Sequence, residues 1–192
     1  MNSLLYILLG AALVLALNLL RGRYASFVAQ KPSDYMSGPE MFDLRQHMNG
    51  PIACEGVIYG PFGRVSSRFV GAFECSWEGN HGVMSEEFRY DDGSIQNRCW
   101  DLIIDQNGAI KATAPDVVGE GEGFQVGSSV QLKYRLRLPD SAGGYVLNTV
   151  DWMYLAPNGS IVNRSQFRKF GIQVAELIAT MRPVSIEMKD SA

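Results

Sequence analysis

In the run VMSEEFRYDDGSIQNRCWDLII (residues 83–104), a carboxylate, Glu86, and a guanidinium, Arg98, lie on either side of Asp91-Asp92-Gly93. Asp-Gly favours the positive φ of a tight hairpin turn, and the flanking residues alternate apolar and polar. Folded back on that turn, Glu86 and Arg98 come nearly opposite each other. The alternation puts Met84, Phe88 and Tyr90 on the face of Glu86. It puts Trp100, Leu102 and Ile104 on the face of Arg98. A charge left alone among such groups costs several kcal/mol, so it needs a partner. Two readings stand side by side. Glu86 and Arg98 form a neutralised core pair, or Arg98 anchors a ligand carboxylate or phosphate with Trp100 as its apolar wall.

Other residues with chemical potential carry weaker patterns. Asp151 and Arg164 flank Pro157-Asn158-Gly159 and are expected to pair across that hairpin. Asp116, Glu120 and Glu122 lie in the glycine-rich stretch APDVVGEGEGFQVG. Their spacing is not that of a calcium loop, and no Lys-Ser/Thr follows to cradle a phosphate, so an ordinary surface loop is expected. The two histidines, His47 and His81, complete no metal-ligand or nucleophile pattern, and no Gly-x-Ser-x-Gly elbow is present. Cys54, Cys75 and Cys99 match no zinc or redox motif and read as small hydrophobes in strands. No catalytic residue, metal or cofactor is therefore assigned, and the chain leans away from an enzyme. A net charge of −3 without a basic stripe argues against a nucleic-acid partner.

The elements that would position Glu86 and Arg98 are strands. From Pro51 to Pro183 the chain alternates with period two, broken by turn residues. Nine strands are expected, at 51–60, 63–77, 82–90, 95–105, 109–115, 126–138, 144–156, 159–168 and 171–182. Successive hairpins favour an all-β, antiparallel up-and-down barrel of eight or nine strands. At that size the interior holds side chains or one small ligand, and closure removes exposed edges. Phe69, Phe73 and Trp77 should face in, as should Val130, Leu132 and Tyr134. Gln131, Lys133, Arg135 and Arg137 should face solvent, or anionic lipid. In 144–156 both faces are apolar, so Trp152 sits on a strand covered on both sides.

Ser3 to Leu20 is an uncharged apolar stretch, close to the ~20 residues that span a bilayer as a helix. It lacks the basic start and small-residue cleavage site of a secretory signal, so a retained transmembrane anchor is expected. Arg21 and Arg23 after it pull the following domain toward the cytoplasm. The resulting division is an anchor at 1–23, a linker at 24–50 whose short helix plugs one end of the sheet, a barrel at 51–183 and a tail at 184–192.

Several separated motifs, in order, resemble the bacterial domain-of-unknown-function family 3833. They are EEFRYDDGSIQNRCW, ATAPDVVGEGEG, VDWMYL and IVNRSQFRKFG, within residues 42–182. The resemblance implies a lipocalin-like fold, frequent lipoprotein members and an association with enzymes that modify membrane fatty acids. It also implies a periplasmic rather than cytoplasmic barrel. This chain departs from it in having no lipid-accepting cysteine after the apolar stretch. Together these readings predict an inner-membrane, single-pass protein whose barrel binds a membrane lipid, a fatty acid or another apolar small molecule. Arg98 and Glu86 would orient the polar head, and Phe88, Trp100, Tyr134 and Trp152 would line the apolar part. The alternatives are an enzyme or accessory subunit acting on membrane acyl chains, and a structural or interaction domain with a filled barrel.

Overall fold

The computed structural model describes residues 2–37 and 40–184. The body is ten strands: β1 (Gly50–Tyr59), β2 (Val65–Glu78), β3 (His81–Tyr90), β4 (Ile95–Ile104), β5 (Ala109–Thr113), β6 (Gly121–Val126), β7 (Ser129–Arg137), β8 (Val146–Leu155), β9 (Ile161–Lys169) and β10 (Ile172–Pro183). Each pairs antiparallel with its neighbour in sequence, and β1 closes on β10 with Cys54 opposite Met181. The result is a closed up-and-down barrel.

It has one strand more than the alternation shows. β6 lies in the stretch expected to be a surface loop. Its inward positions are Gly121, Gly123 and Gln125, so no apolar side chain marks the pattern. Close packing explains the glycine: a Cβ on Gly123 would run into the Gln131 carbonyl oxygen of β7.

The two barrel ends differ. At one end the chain before β1 tucks in. A short helix, α2 (Leu44–His47), starts where the Asp43 carboxylate accepts the Arg45 N–H at 3.0 Å. Around it Phe42, Leu44 and Met48 are buried in the barrel core. The Trp77 indole N–H donates to the Met48 carbonyl at 2.7 Å, and Phe42 N–H donates to the Gly127 carbonyl at 2.7 Å. This end is plugged. At the other end, ringed by the β1–β2, β3–β4, β7–β8 and β9–β10 turns, the inward-facing Ile58, Phe88, Tyr90, Leu136 and Leu177 are only half-buried. That end is a mouth.

Upstream of α2, residues 25–36 form a strap of short 3₁₀ turns along the outside of the barrel, from β9 across β8 to β7 and β6. Before the strap, α1 (Asn2–Tyr24) is a single apolar helix that buries nothing against the barrel. The expected tail at 184–192 lies, beyond Val184, outside the described residues.

Candidate functional site

Midway along the barrel the inward alternation is interrupted by a polar layer. Glu86 lies opposite Arg98 in the β3–β4 register, as the Asp91-Asp92-Gly93 turn requires. The Arg98 guanidinium stacks 4.0 Å from the Trp100 ring centroid and 5.5 Å from that of Tyr134. Trp100 and Tyr134 meet edge-on with centroids 5.2 Å apart. Phe88 lies toward the mouth, where its ring meets Phe69 and Phe73 at 5.4 and 5.3 Å. Five of the six residues expected to form a ligand site are thus brought to one interior.

Trp152 is the exception. It is fully buried, but on the outer face, opposite Gln131 and Arg164. Tyr35 of the strap packs on it with ring centroids 5.1 Å apart, and Tyr154 stacks beside it. The strap gives β8 its second apolar face, so Trp152 holds the strap and lines no interior. Gln131, expected in solvent, is buried on that same outer face.

The partner of Arg98 is also different. Its Nε donates to Asp116 Oδ1 at 2.9 Å. β5 pairs with β4 only from Asp101 onward, and residues 114–120 fill the remaining wall, delivering Asp116 from the stretch expected to be surface. Asp151 does not pair with Arg164. The β8–β9 turn sets Asp151 opposite Ser165, so Asp151 points inward and accepts hydrogen bonds from Asn163 Nδ2 and, at 2.9 Å, from Ser165 Oγ. Arg164, on the outside, pairs with Glu176 and stacks on Phe27.

Electrostatics follow from burial. Desolvation pushes the Glu86 pKa up to about 8, against the pull of Arg98, so the group is a neutral hydrogen-bond donor at neutral pH. Burial also raises Asp151, in part offset by its bonds from Asn163 and Ser165. Burial opposes the Arg98 charge, yet its neighbours outweigh it and hold the guanidinium above its ordinary value, with Asp116 as its ion partner. Three buried atoms in this layer, Glu86 Oε2, Arg98 Nη2 and Thr149 Oγ1, have no hydrogen-bond partner among the described residues. Toward the plug, a small apolar void of about 30 Å³ lies among Leu44, Met48, Trp100 and Met153, room for about one water. Among the described residues, no group of three His, Cys, Asp or Glu side chains could hold a metal ion.

The alternation shared with Leu147 and Met153 is the sequence signal for an inward Asp151. Nothing in the spacing marks Asp116, which reaches Arg98 from a loop.

The model of the family described as "Protein of unknown function (DUF3833)" matches residues 23–183, and the chain belongs to that family. None of the curated proteins matches it in sequence. Among solved structures it is similar to the S-type phycobiliprotein lyase CPES from Guillardia theta. That likeness has a TM-score of 0.52 and 10% identity, over 74% of this chain and 92% of that one. It is similar also to Rv2717c from M. tuberculosis, with a TM-score of 0.54 and 14% identity, over 73% of this chain and 94% of that one. At such identities the likeness is one of fold, a lipocalin-like barrel. The single apolar helix at the amino terminus fits a single-pass anchor or a signal sequence.

Proposed function

With membership of that family as the premise, we propose that this protein binds an amphipathic small molecule, a membrane lipid or fatty acid, inside its barrel. The observation that carries the reading is the set of buried polar atoms without partners. Buried donors and acceptors are almost always satisfied, so Glu86 Oε2, Arg98 Nη2 and Thr149 Oγ1 call for a polar group from outside the chain. Arg98 and a protonated Glu86 both donate, so the head group accepts: a carboxylate or an ester. Its apolar part lies against Phe88 and leaves by the mouth, where the inward side chains are half-exposed, with Trp100 and Tyr134 stacked on Arg98 behind the head group. The phycobiliprotein lyase shares the fold, which supports a barrel able to take a small molecule.

Residues 1–23 are the membrane anchor in this reading, 24–50 the linker, 51–183 the ligand-binding barrel and 184–192 the tail. We place the barrel on the periplasmic side of the inner membrane, as the family resemblance implies, against the cytoplasmic pull of Arg21 and Arg23. Cys99 is an exposed free thiol and reports on this directly. An impermeant maleimide should label it in intact spheroplasts; protection until lysis would place the barrel in the cytoplasm.

Mass spectrometry of the protein extracted from its own membrane tests the binding. A lipid should copurify with the wild type and be lost from Arg98→Ala at unchanged barrel content by circular dichroism. Should Arg98→Ala unfold, the double variant Arg98→Met with Asp116→Asn removes both members of the ion pair and repeats the measurement. A folded wild type that carries no lipid leaves the filled barrel standing.

A further inference from the structure

We propose that the mouth of the barrel, at the sector made by the β1–β2 and β9–β10 turns, is seated in the headgroup layer of the bilayer that α1 enters. The inference rests on α1 being a membrane anchor, as proposed above. It goes beyond that reading in assigning a second, independent membrane contact.

Chain length is the first argument. Only Ala25 and Ser26 separate α1 from Phe27, which is buried on the barrel wall under the Arg164 guanidinium, 4.7 Å from its ring centroid. Three residues reach at most about 10 Å, so the barrel abuts the surface from which α1 emerges. The strap gives a direction. From Phe27 beside Arg164 it passes Gln30, which accepts the Tyr154 hydroxyl at 2.8 Å, and reaches Tyr35, whose backbone packs on Gly127 at the plugged end. The strap thus runs toward the plugged end and begins, at Phe27, on its mouthward side.

The rim on that side carries the groups a bilayer interface takes. Phe62, at the tip of the β1–β2 turn, is 92% exposed and Phe170, at the tip of the β9–β10 turn, is 91% exposed. Ile172, Tyr145 and Val65 are exposed around them. Phe170 has φ 51°, a conformation that favours glycine or asparagine, so neither packing nor the turn selects phenylalanine there. Lys169 lies 3.1 Å from the Tyr145 ring centroid, and Lys169 and Arg64 have no acidic partner among the described residues. Aromatic tips ringed by unpaired cations match acyl-chain ends below a layer of lipid phosphates. The acidic turn at Asp91-Asp92 borders this sector on its β3 side, where Asp91 pairs with Arg68 of β2, and marks the limit of the contact.

Full-length protein is placed in vesicles of phosphatidylethanolamine and phosphatidylglycerol whose acyl chains carry bromine. Tryptophan is added singly by Phe62→Trp, Phe170→Trp, Asn158→Trp at the plugged end, and Leu9→Trp within α1. The fluorescence each adds should be quenched several-fold more at 62 and 170 than at 158, and strongest by bromines near the carbonyl end of the chain. Quenching at 9 with none at 62 and 170 beyond that at 158 overturns the rim contact and leaves the anchor intact. Absence of quenching at 9 removes the anchor, and the rim contact with it.

Discussion

Glu86 sits where a carboxyl group keeps its proton. Its folded pKa of about 8 lies above its ordinary 4.5, so between those two values the folded chain binds more proton than the unfolded one. Stability is therefore greatest below that window, falls as pH rises through it, and is level again above about 8. Glu86→Gln keeps the shape and removes the titration. The variant should lose the slope and gain on the order of a few kcal/mol over wild type at high pH. Urea midpoints at about pH 5 and about pH 9 check this; an unchanged slope in Glu86→Gln would assign it to another group. The Arg98–Asp116 pair predicts an opposite response. Asp116→Asn leaves a mostly buried guanidinium without its ion partner and should cost roughly 2–3 kcal/mol. Asp91→Asn, which breaks the exposed pair with Arg68, should leave the urea midpoint where it is. The opposition of Glu86 and Arg98 was legible in sequence because a tight turn fixes local register. Asp116 was not, because its contact depends on how a loop crosses the barrel wall. Asp151 was lost to a register read one residue short, which in a strand exchanges the inner face for the outer one.

Strand by strand, alternation located nine of the ten, and the missing one shows where pattern reading ends. Period two needs side chains to be seen, and β6 presents glycine to the interior at 121 and 123. Gly123→Ala is then among the costliest small changes in the molecule. Its Cβ would meet the Gln131 carbonyl and the Leu132 side chain, forcing β6 and β7 apart. A loss of roughly 2–4 kcal/mol is expected, as for overpacking with backbone displacement; a melting temperature within a degree of wild type would show that β6 yields freely. The β9–β10 turn predicts a gain. Phe170 followed by Gly171, with φ of 51° and 80°, makes a turn that Asn-Gly fits without strain. Phe170→Asn should stabilise the barrel by about 1 kcal/mol, read as a rise of a few degrees in melting temperature in detergent. A fall would mean that the Phe170 ring contributes to the fold. The strap was the other illegible element. Its 3₁₀ turns have no period, and its place on the barrel is set by Trp152 and Tyr154, which a sequence pattern puts as readily inside as outside.

Closure joins the two ends of the barrel sequence. Glu55 of β1 takes hydrogen bonds from Thr180 and Arg182 of β10, while every other strand pair joins neighbours in the chain. Zipping successive hairpins closes short loops, whereas the β1–β10 seam must close nearly the whole domain, at an entropic cost that rises with length. The seam should therefore form after the transition state, and the β3–β4 hairpin, with its turn pinned by Ser94 hydrogen bonds to Asp92, before it. Met181→Ala and Leu102→Ala remove buried apolar groups of similar size from these two places, and each should cost about 2–5 kcal/mol. Their kinetics should differ. Met181→Ala at the seam should chiefly speed unfolding, and Leu102→Ala should chiefly slow folding. Stopped-flow chevrons on the two variants decide it. Equal partition between the arms would mean that the barrel condenses as a whole, and a slowed folding arm for Met181→Ala would place closure at the start. A seam that closes last is also the one that opens first. Opening there would widen the mouth at the β1–β2 and β9–β10 turns, the sector assigned to the membrane.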